Sequence, residues 1–275
     1  MKKSESLPSL PPTCLAVSSD ETQIFLAGRQ FLCKLSRQNL AVFRNIKTHF
    51  TAGSLAISPD GQTVFVGSDK GVRAFSAGDL AALKTFFPSE HVYCFAVLSD
   101  DLLALSVRKS LAKIELLSGE SEKLKSPHSS FVSSMACWGG RLITASNDRL
   151  LVKFGPDFAV ETQRELKFVP MTLLAKSEEG IFVGDLEGNV TRFEGERLSP
   201  ISCWKAAQKT GIRLLGLGPG AEVFCSGVDG KLRREGKPEV ALSKGFLAFF
   251  WVFSNGEVAF AGEKEPFTVL RPEPK

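Results

Sequence analysis

Histidine, cysteine and the carboxylates hold metals, carry protons or attack carbon, so their spacing is the first question. The chain has three histidines, His49, His91 and His128, and six cysteines, Cys14, Cys33, Cys94, Cys137, Cys203 and Cys225. Each histidine lies just before an apolar run, roughly 40 residues from the next. A catalytic or metal-ligating histidine is usually unique to one place. One per interval points to a repeated structural role, and a metal triad would need all three to converge. The cysteines stand singly, without a CxxC, beside Leu, Val and Phe. Thiols desolvated among such neighbours are inert, so they read as reduced core residues. No GxSxG, HExxH or phosphate-cradling glycine loop is present. The expectation is a chain that is not an enzyme and takes no cofactor or metal.

The elements that carry these residues repeat. VFVGSDKGVRAF (64–75) is two apolar runs around a polar turn, the pattern of a β-hairpin. Similar segments occupy 24–35, 103–114, 143–154, 181–193, 223–235 and 258–270. A further apolar strand precedes each hairpin, as in CLAVSS, SLAISP and CFAVLS, and turns such as SSDE, SPDG and SNGE separate the two. Asp, Asn, Gly and Pro serve there because they reverse the chain at little steric cost. A more polar fourth strand follows, as in LAVFRNI and VETQREL. Four strands per roughly 40 residues, seven times over, predicts an all-β fold: a seven-bladed β-propeller of four-stranded antiparallel blades. The last repeat stops after its third strand. Residues 1–12, and Lys3 to Leu10 within them, are the candidate for the missing outer strand, with 13–275 forming a single propeller. Pro8 is tolerable there only because an outer edge strand can spare a donor.

Composition bounds the function. Among 275 residues, 43% are hydrophobic, enough for a sizeable core. A net charge of +4 is too small to argue for nucleic acid or an anionic membrane without a clustered patch. The longest apolar run, Phe246 to Phe253, suits a buried strand and is too short to span a bilayer. MKKSESLPSLPP has no apolar stretch behind its lysines, so a secretory signal is not expected. These features place the chain in the cytoplasm or the nucleus, away from membranes.

The stretch HSSFVSSMACWGGRLITASNDRLLVKF, His128 to Phe154, resembles a repeat of the WD-repeat propellers. The resemblance implies that His128, Thr144 and Asp148 hydrogen-bond to one another, with Phe154 where the family has Trp. It extends the turn aspartate to Asp69 and Asp229, with Glu187 in the fifth repeat, and covers essentially residues 14–270. No repeat has the Trp-Asp dipeptide, and Arg29, Arg108 and Lys264 stand where other repeats have the acid.

In this family the turns between second and third strands share one face with the loops leading into the first strands. Arg29, Lys70, Arg108, Lys109, Arg149 and Lys264 would line that face as a modestly positive arc, able to take an acidic peptide or RNA. The densest basic stretch, Lys231 to Lys237, falls on a rim, and Trp204 falls on an outer strand where its ring could meet a partner. What the resemblance implies is a non-catalytic interaction scaffold, monomeric by itself, holding protein partners in a multi-subunit complex. IFVGDLEGNVTRF resembles blades of RNA-processing propellers, including the non-catalytic subunit of a tRNA methyltransferase. The alternative from another class is a metal-dependent, lactonase-like propeller hydrolase. It would need carboxylates with Asn or His where the first strands begin, yet those strands begin Cys14, Ser54, Cys94, Ser134, Thr172, Arg213 and Leu247.

Overall fold

Burial along the strands falls into three patterns, and these build the sheets. The first strand of a repeat alternates buried and exposed side chains. The second is buried on both faces, as in TVFVGS, and the fourth is largely exposed, as in VETQRE. A strand buried on both faces reads as a continuous run of Val, Ile, Leu and Phe, which explains the uniform apolarity of the hairpins. The computed structural model describes residues 10–107, 110–176, 179–262 and 265–271. It divides into two compact units, Met1–Arg108 with Ala112–Lys123, and Lys109–Leu111 with Leu124–Lys275.

In the first unit, β1 (Pro12–Val17), β2 (Gln23–Ser36), β3 (Val42–Ile57), β4 (Thr63–Ser68), β5 (Gly71–Ser76) and β6 (Ala82–Phe86) form one antiparallel sheet in chain order. β7 (Val92–Ser99), β8 (Leu102–Val107), β9 (Ser110–Glu115) and β10 (Ser121–Leu124) form a four-stranded sheet. Separate four-stranded blades were the expectation for residues 12–86. Instead β3 runs unbroken, pairing with β2 up to Thr51 and with β4 from Ala52 onward. The sheets of the described residues therefore number six, with three to six strands each, where seven equal blades were expected. The physical reason lies in KTHFTAG: Thr48, Phe50 and Ala52 are buried, their neighbours Lys47, His49, Thr51 and Gly53 are exposed, and this period of two keeps the backbone extended.

In the second unit the four-stranded sheets are β11 (Val132–Trp138) to β14 (Val160–Glu165), β15 (Pro170–Lys176) to β18 (Pro200–Lys205), and β19 (Ile212–Leu217) to β22 (Val240–Ala241). Their inner members are β12 (Arg141–Ser146), β13 (Leu150–Phe154), β16 (Gly180–Asp185), β17 (Asn189–Phe193), β20 (Val223–Gly227) and β21 (Lys231–Arg234). β23 (Leu247–Val252), β24 (Val258–Gly262) and β25 (Thr268–Leu270) form a three-stranded sheet. The proposed outer strand at Lys3 to Leu10 lies, up to residue 9, outside the described residues. The helical content described is one 3-10 turn, Pro219–Ala221, and no described helix is long and apolar enough to cross a membrane.

The repeats share a marker that composition hides. Each first strand slips register against its second strand near its start: at Pro12/Cys14, Ala52/Ser54, Val92/Phe95, Val132/Ser134, Pro170/Thr172, Ile212/Leu214 and Leu247/Phe249. A bulge at a fixed place sharpens the local twist and sets a common ruler for comparing repeats.

Neighbouring repeats are tied by buried lysines. Lys34, 8% exposed, donates to the carbonyls of Ala77 at 2.7 Å and Gly78 at 3.3 Å, with its Nζ 5.9 Å from the centre of the Phe25 ring. Burial lowers its pKa, partly opposed by Asp79. Lys153, 3% exposed, donates to Glu196 O at 2.8 Å and Glu196 Oε2 at 2.9 Å and lies over Trp138. A long apolar stem with a charged tip can fill an inter-sheet gap and still satisfy its ammonium.

Candidate interaction site

The bulge ruler shows why, among the described residues, the His–Thr–Asp network forms in the repeat of His128. His128 stands four residues before Val132, the first residue paired to β12. Its side chain is fully buried, with Nε2 2.7 Å from Thr144 Oγ1 and Nδ1 3.3 Å from Asp148 Oδ2. The Asp148 carboxylate also accepts the Ser129 N–H at 2.8 Å and the Leu150 N–H at 3.0 Å. Burial pushes the Asp148 pKa up, but those N–H donors and His128 outweigh it and hold the carboxyl below its ordinary value. Burial lowers the His128 pKa despite the opposing pull of Asp148. The imidazole is therefore neutral, its proton faces the carboxylate, and Nε2 accepts from the Thr144 hydroxyl. Phe154 is buried nearby in β13 and supplies packing without a donor.

Counting the same four residues back in the second repeat gives Thr48, not His49. His91 directly precedes the first paired residue of its repeat, Val92. Both His49 and His91 are exposed, and His91 stacks on Tyr93 at 4.4 Å. The three histidines are therefore not at equivalent positions. Asp69 is likewise one place off: it directly follows Ser68, whereas Asp148 follows Ser146 by two residues. Asp69 is exposed and accepts the Thr51 N–H at 3.0 Å. Asp229 does take the Asp148 position after Gly227, but there it clamps Arg233, with Nη1 2.9 Å from Oδ1. Burial raises the Asp229 pKa, and the Arg233 guanidinium more than reverses this. The fifth repeat uses a residue that the motif comparison missed. Asp185, 1% exposed, accepts from the backbone N–H of Asn189 at 2.8 Å and its side-chain amide at 2.7 Å. The DxxxN spacing in DLEGN was the available signal.

Of the candidate cations, Arg29 and Lys70 are exposed in the first unit and meet at one segment. Arg29 is paired to Thr51, and Lys70 Nζ donates to His49 O at 2.9 Å. Arg149 is exposed in the second unit, in the left-handed region at φ 67°. Arg108, Lys109 and Lys264 lie outside the described residues. The basic stretch 231–237 is neutralised by its own acids: Lys231 and Arg233 both reach Glu239, and Arg234 pairs with Glu222 at 2.5 Å. Trp204 is half-buried against the cluster of Phe182, Val190 and Ile212, so it is less open than its outer-strand position suggested. The cysteines are all free, with Cys203 exposed. Among the described residues no group of three or more His, Cys, Asp or Glu could hold a metal ion.

Apolar side chains are exposed at four strand-end positions of the second unit. In the second unit Leu186 (58% exposed) and Val228 (48%) each directly follow the last paired residue of a second strand. Phe131 (40%) and Phe246 (39%) each directly precede the first paired residue of a first strand. The Asn147 N–H to Phe131 O bond, 3.1 Å, joins these two kinds of position at one end of a repeat. Nothing in the fold requires large apolar side chains at such solvent-facing turns.

With this geometry in place, solved structures define the class. The structure of U3-55K matches with a TM-score of 0.82 at 17% identity, covering 96% of this chain and 95% of that one. The crystal structure of RRP9 WD40 repeats matches at 0.79 and 19% identity, covering 94% and 90%. The chain thus has an all-β, antiparallel propeller fold of the WD40 type. No family model and no curated protein matches it.

Proposed function

We propose that this chain is a non-catalytic interaction scaffold, a WD40-type propeller subunit that holds protein partners in a larger assembly, with RNA-processing assemblies the favoured setting. The observation that carries this reading is the exposure of Phe131, Leu186, Val228 and Phe246 at strand-end turns. Such side chains cost solubility and are retained where a partner covers them. Arg149, exposed at a turn of the same unit, supplies a charge suited to steering a partner on approach. On this reading the chain is monomeric alone, needs no cofactor, and works in the cytoplasm or nucleus. The recurrence of one bulge in all seven repeats supports counting seven blades, with β3 shared by the first two.

The test is native affinity purification with mass spectrometry, with and without nuclease, at low and high salt. A stoichiometric protein set that survives nuclease and salt is expected. Recovery that collapses with nuclease would replace the protein scaffold with RNA association. Recovery of no partner under any condition would overturn the reading.

A further inference from the structure

An arginine without an acid marks a second site. Between Ile46–Phe50 of β3 and the strands β5 and β6 lies a groove of about 270 Å³, entirely within the first unit. Its walls are mainly apolar, from Ile46, Phe50, Phe75 and Leu83. Leu83 is 59% exposed. Arg73 lies along the groove with its guanidinium carbon 5.2 Å from the centre of the Phe50 ring. Arg73 Nε is buried and has no hydrogen-bond partner. Lys47 and Lys84 also line the groove, and no Asp or Glu does.

A groove in the second unit holds its arginines differently, although Arg164 Nε of that unit is also buried without a partner. There Arg234 pairs with Glu222 at 2.5 Å, and Arg192 Nε donates to Glu179 O at 2.7 Å, so each guanidinium has a partner within the chain. Buried donors without partners are uncommon, and a guanidinium placed over an aromatic ring keeps a planar fork suited to a bidentate carboxylate.

We propose that the Arg73 groove binds an acidic segment of a partner protein. One carboxylate would seat on Arg73, with Lys47 and Lys84 flanking it, and an adjacent apolar side chain would lie against Phe75 and Leu83. The apolar walls and the small volume favour a peptide over a nucleic-acid backbone, which needs a row of exposed cations. The inference rests on the scaffold reading and gives it a site and a partner chemistry.

The test titrates the full chain with a fluorescent pool of ten-residue peptides alternating Asp or Glu with Leu or Phe. A matched pool carries Asn and Gln in place of the acids, and a twelve-nucleotide oligouridylate serves as a third probe. The acidic pool is expected to bind and the amide pool not to. Arg73→Met should weaken acidic binding about tenfold, the loss of one charge-assisted pair. Lys167→Gln, at an exposed cation of the second unit, should leave it unchanged. In unmutated protein the Arg73 Nε–H resonance should shift with acidic peptide, a readout that does not depend on a variant folding. Failure of the acidic pool to bind, equal binding to Arg73→Met, an unmoved Arg73 resonance, or Arg73-dependent binding of oligouridylate alone would each overturn the proposal. Partners that purify equally with wild type and Arg73→Met, alongside a failed titration, would remove the groove and leave the scaffold standing. A positive titration with no partner in cells would do the reverse.

Discussion

At the scale of the residue, burial decides which titratable groups matter. Asp148 serves one imidazole and two backbone N–H groups at once. Asp148→Ala leaves those donors without an acceptor and should cost about 1–3 kcal/mol, read as a lowered urea midpoint. His128 binds its proton less readily folded than unfolded. The stability it contributes is complete above its ordinary value of 6.5 and drains away as pH falls below that value, because the unfolded chain then takes up the extra proton. Urea midpoints from pH 8 to 5 should therefore fall on acidification, and His128→Gln should flatten that slope. Asp148 is shifted in the other sense, so its own contribution fades only as pH falls below its ordinary value of 3.8. The thiols divide similarly. Burial pushes Cys14 and Cys225 up to about 12, whereas Cys203 is exposed. Iodoacetamide at pH 8 should label Cys203 in the native chain and reach Cys14 and Cys225 only after denaturation, as followed by mass spectrometry. His128, Thr144 and Asp148 were legible because one repeat keeps all three. His49 and Asp69 misled because a shift of one residue moves a side chain to the other face of a strand, and His91 because it stands three places from the position of His128. Only the bulge positions, which sequence does not display, fix that count.

At the scale of the element, the hairpins were legible from apolar runs broken by Gly, Asp and Asn, because backbone sterics leave few other ways to turn. The continuity of β3 was hidden by Thr48 and Thr51. Threonine is common both in strands and in links, so the alternation through KTHFTAG is weak until burial is known. The lysine ties were hidden too, since a charged residue inside a hairpin suggests solvent. Lys34→Met should orphan the carbonyls of Ala77 and Gly78 and cost about 1–3 kcal/mol, visible as a lowered melting temperature. Close packing also has a glycine signature. A Cβ on Gly184 would stand 2.6 Å from Ile212 Cγ2 and 2.9 Å from Thr172 Cγ2. Gly184→Ala should cost about 1–3 kcal/mol by the same measurement, through overpacking rather than backbone strain.

At the scale of the whole molecule, fold and function separate. The WD40-type fold positions turns, and what those turns carry decides the partners. Replacing Phe131, Leu186 and Phe246 with Ser and Val228 with Thr should strip partners from the purified chain. Each position is exposed, so the melting temperature should stay nearly constant. A variant that keeps its partners would show that the exposed turns are not where they dock. Leu186, Val228 and Phe246 were missed because single Leu, Val and Phe residues in a hairpin sequence look like core until the turn positions are known.

The shared strand β3 also governs where the chain can be cut and rejoined. Most links between strands are short exposed turns, and Gly139-Gly140 is one whose built Cβ atoms meet nothing within 4 Å. New termini placed there should leave both flanking strands paired, as circular permutation requires. Between Thr51 and Ala52 no such link exists: one residue pairs with β2, the next with β4, and the Thr51 N–H is held by Asp69. A permutant opened at that bond would have to fray two ladders at once. The seam between the first two repeats is thus a junction where shuffling, nicking or inserting sequence should abolish folding.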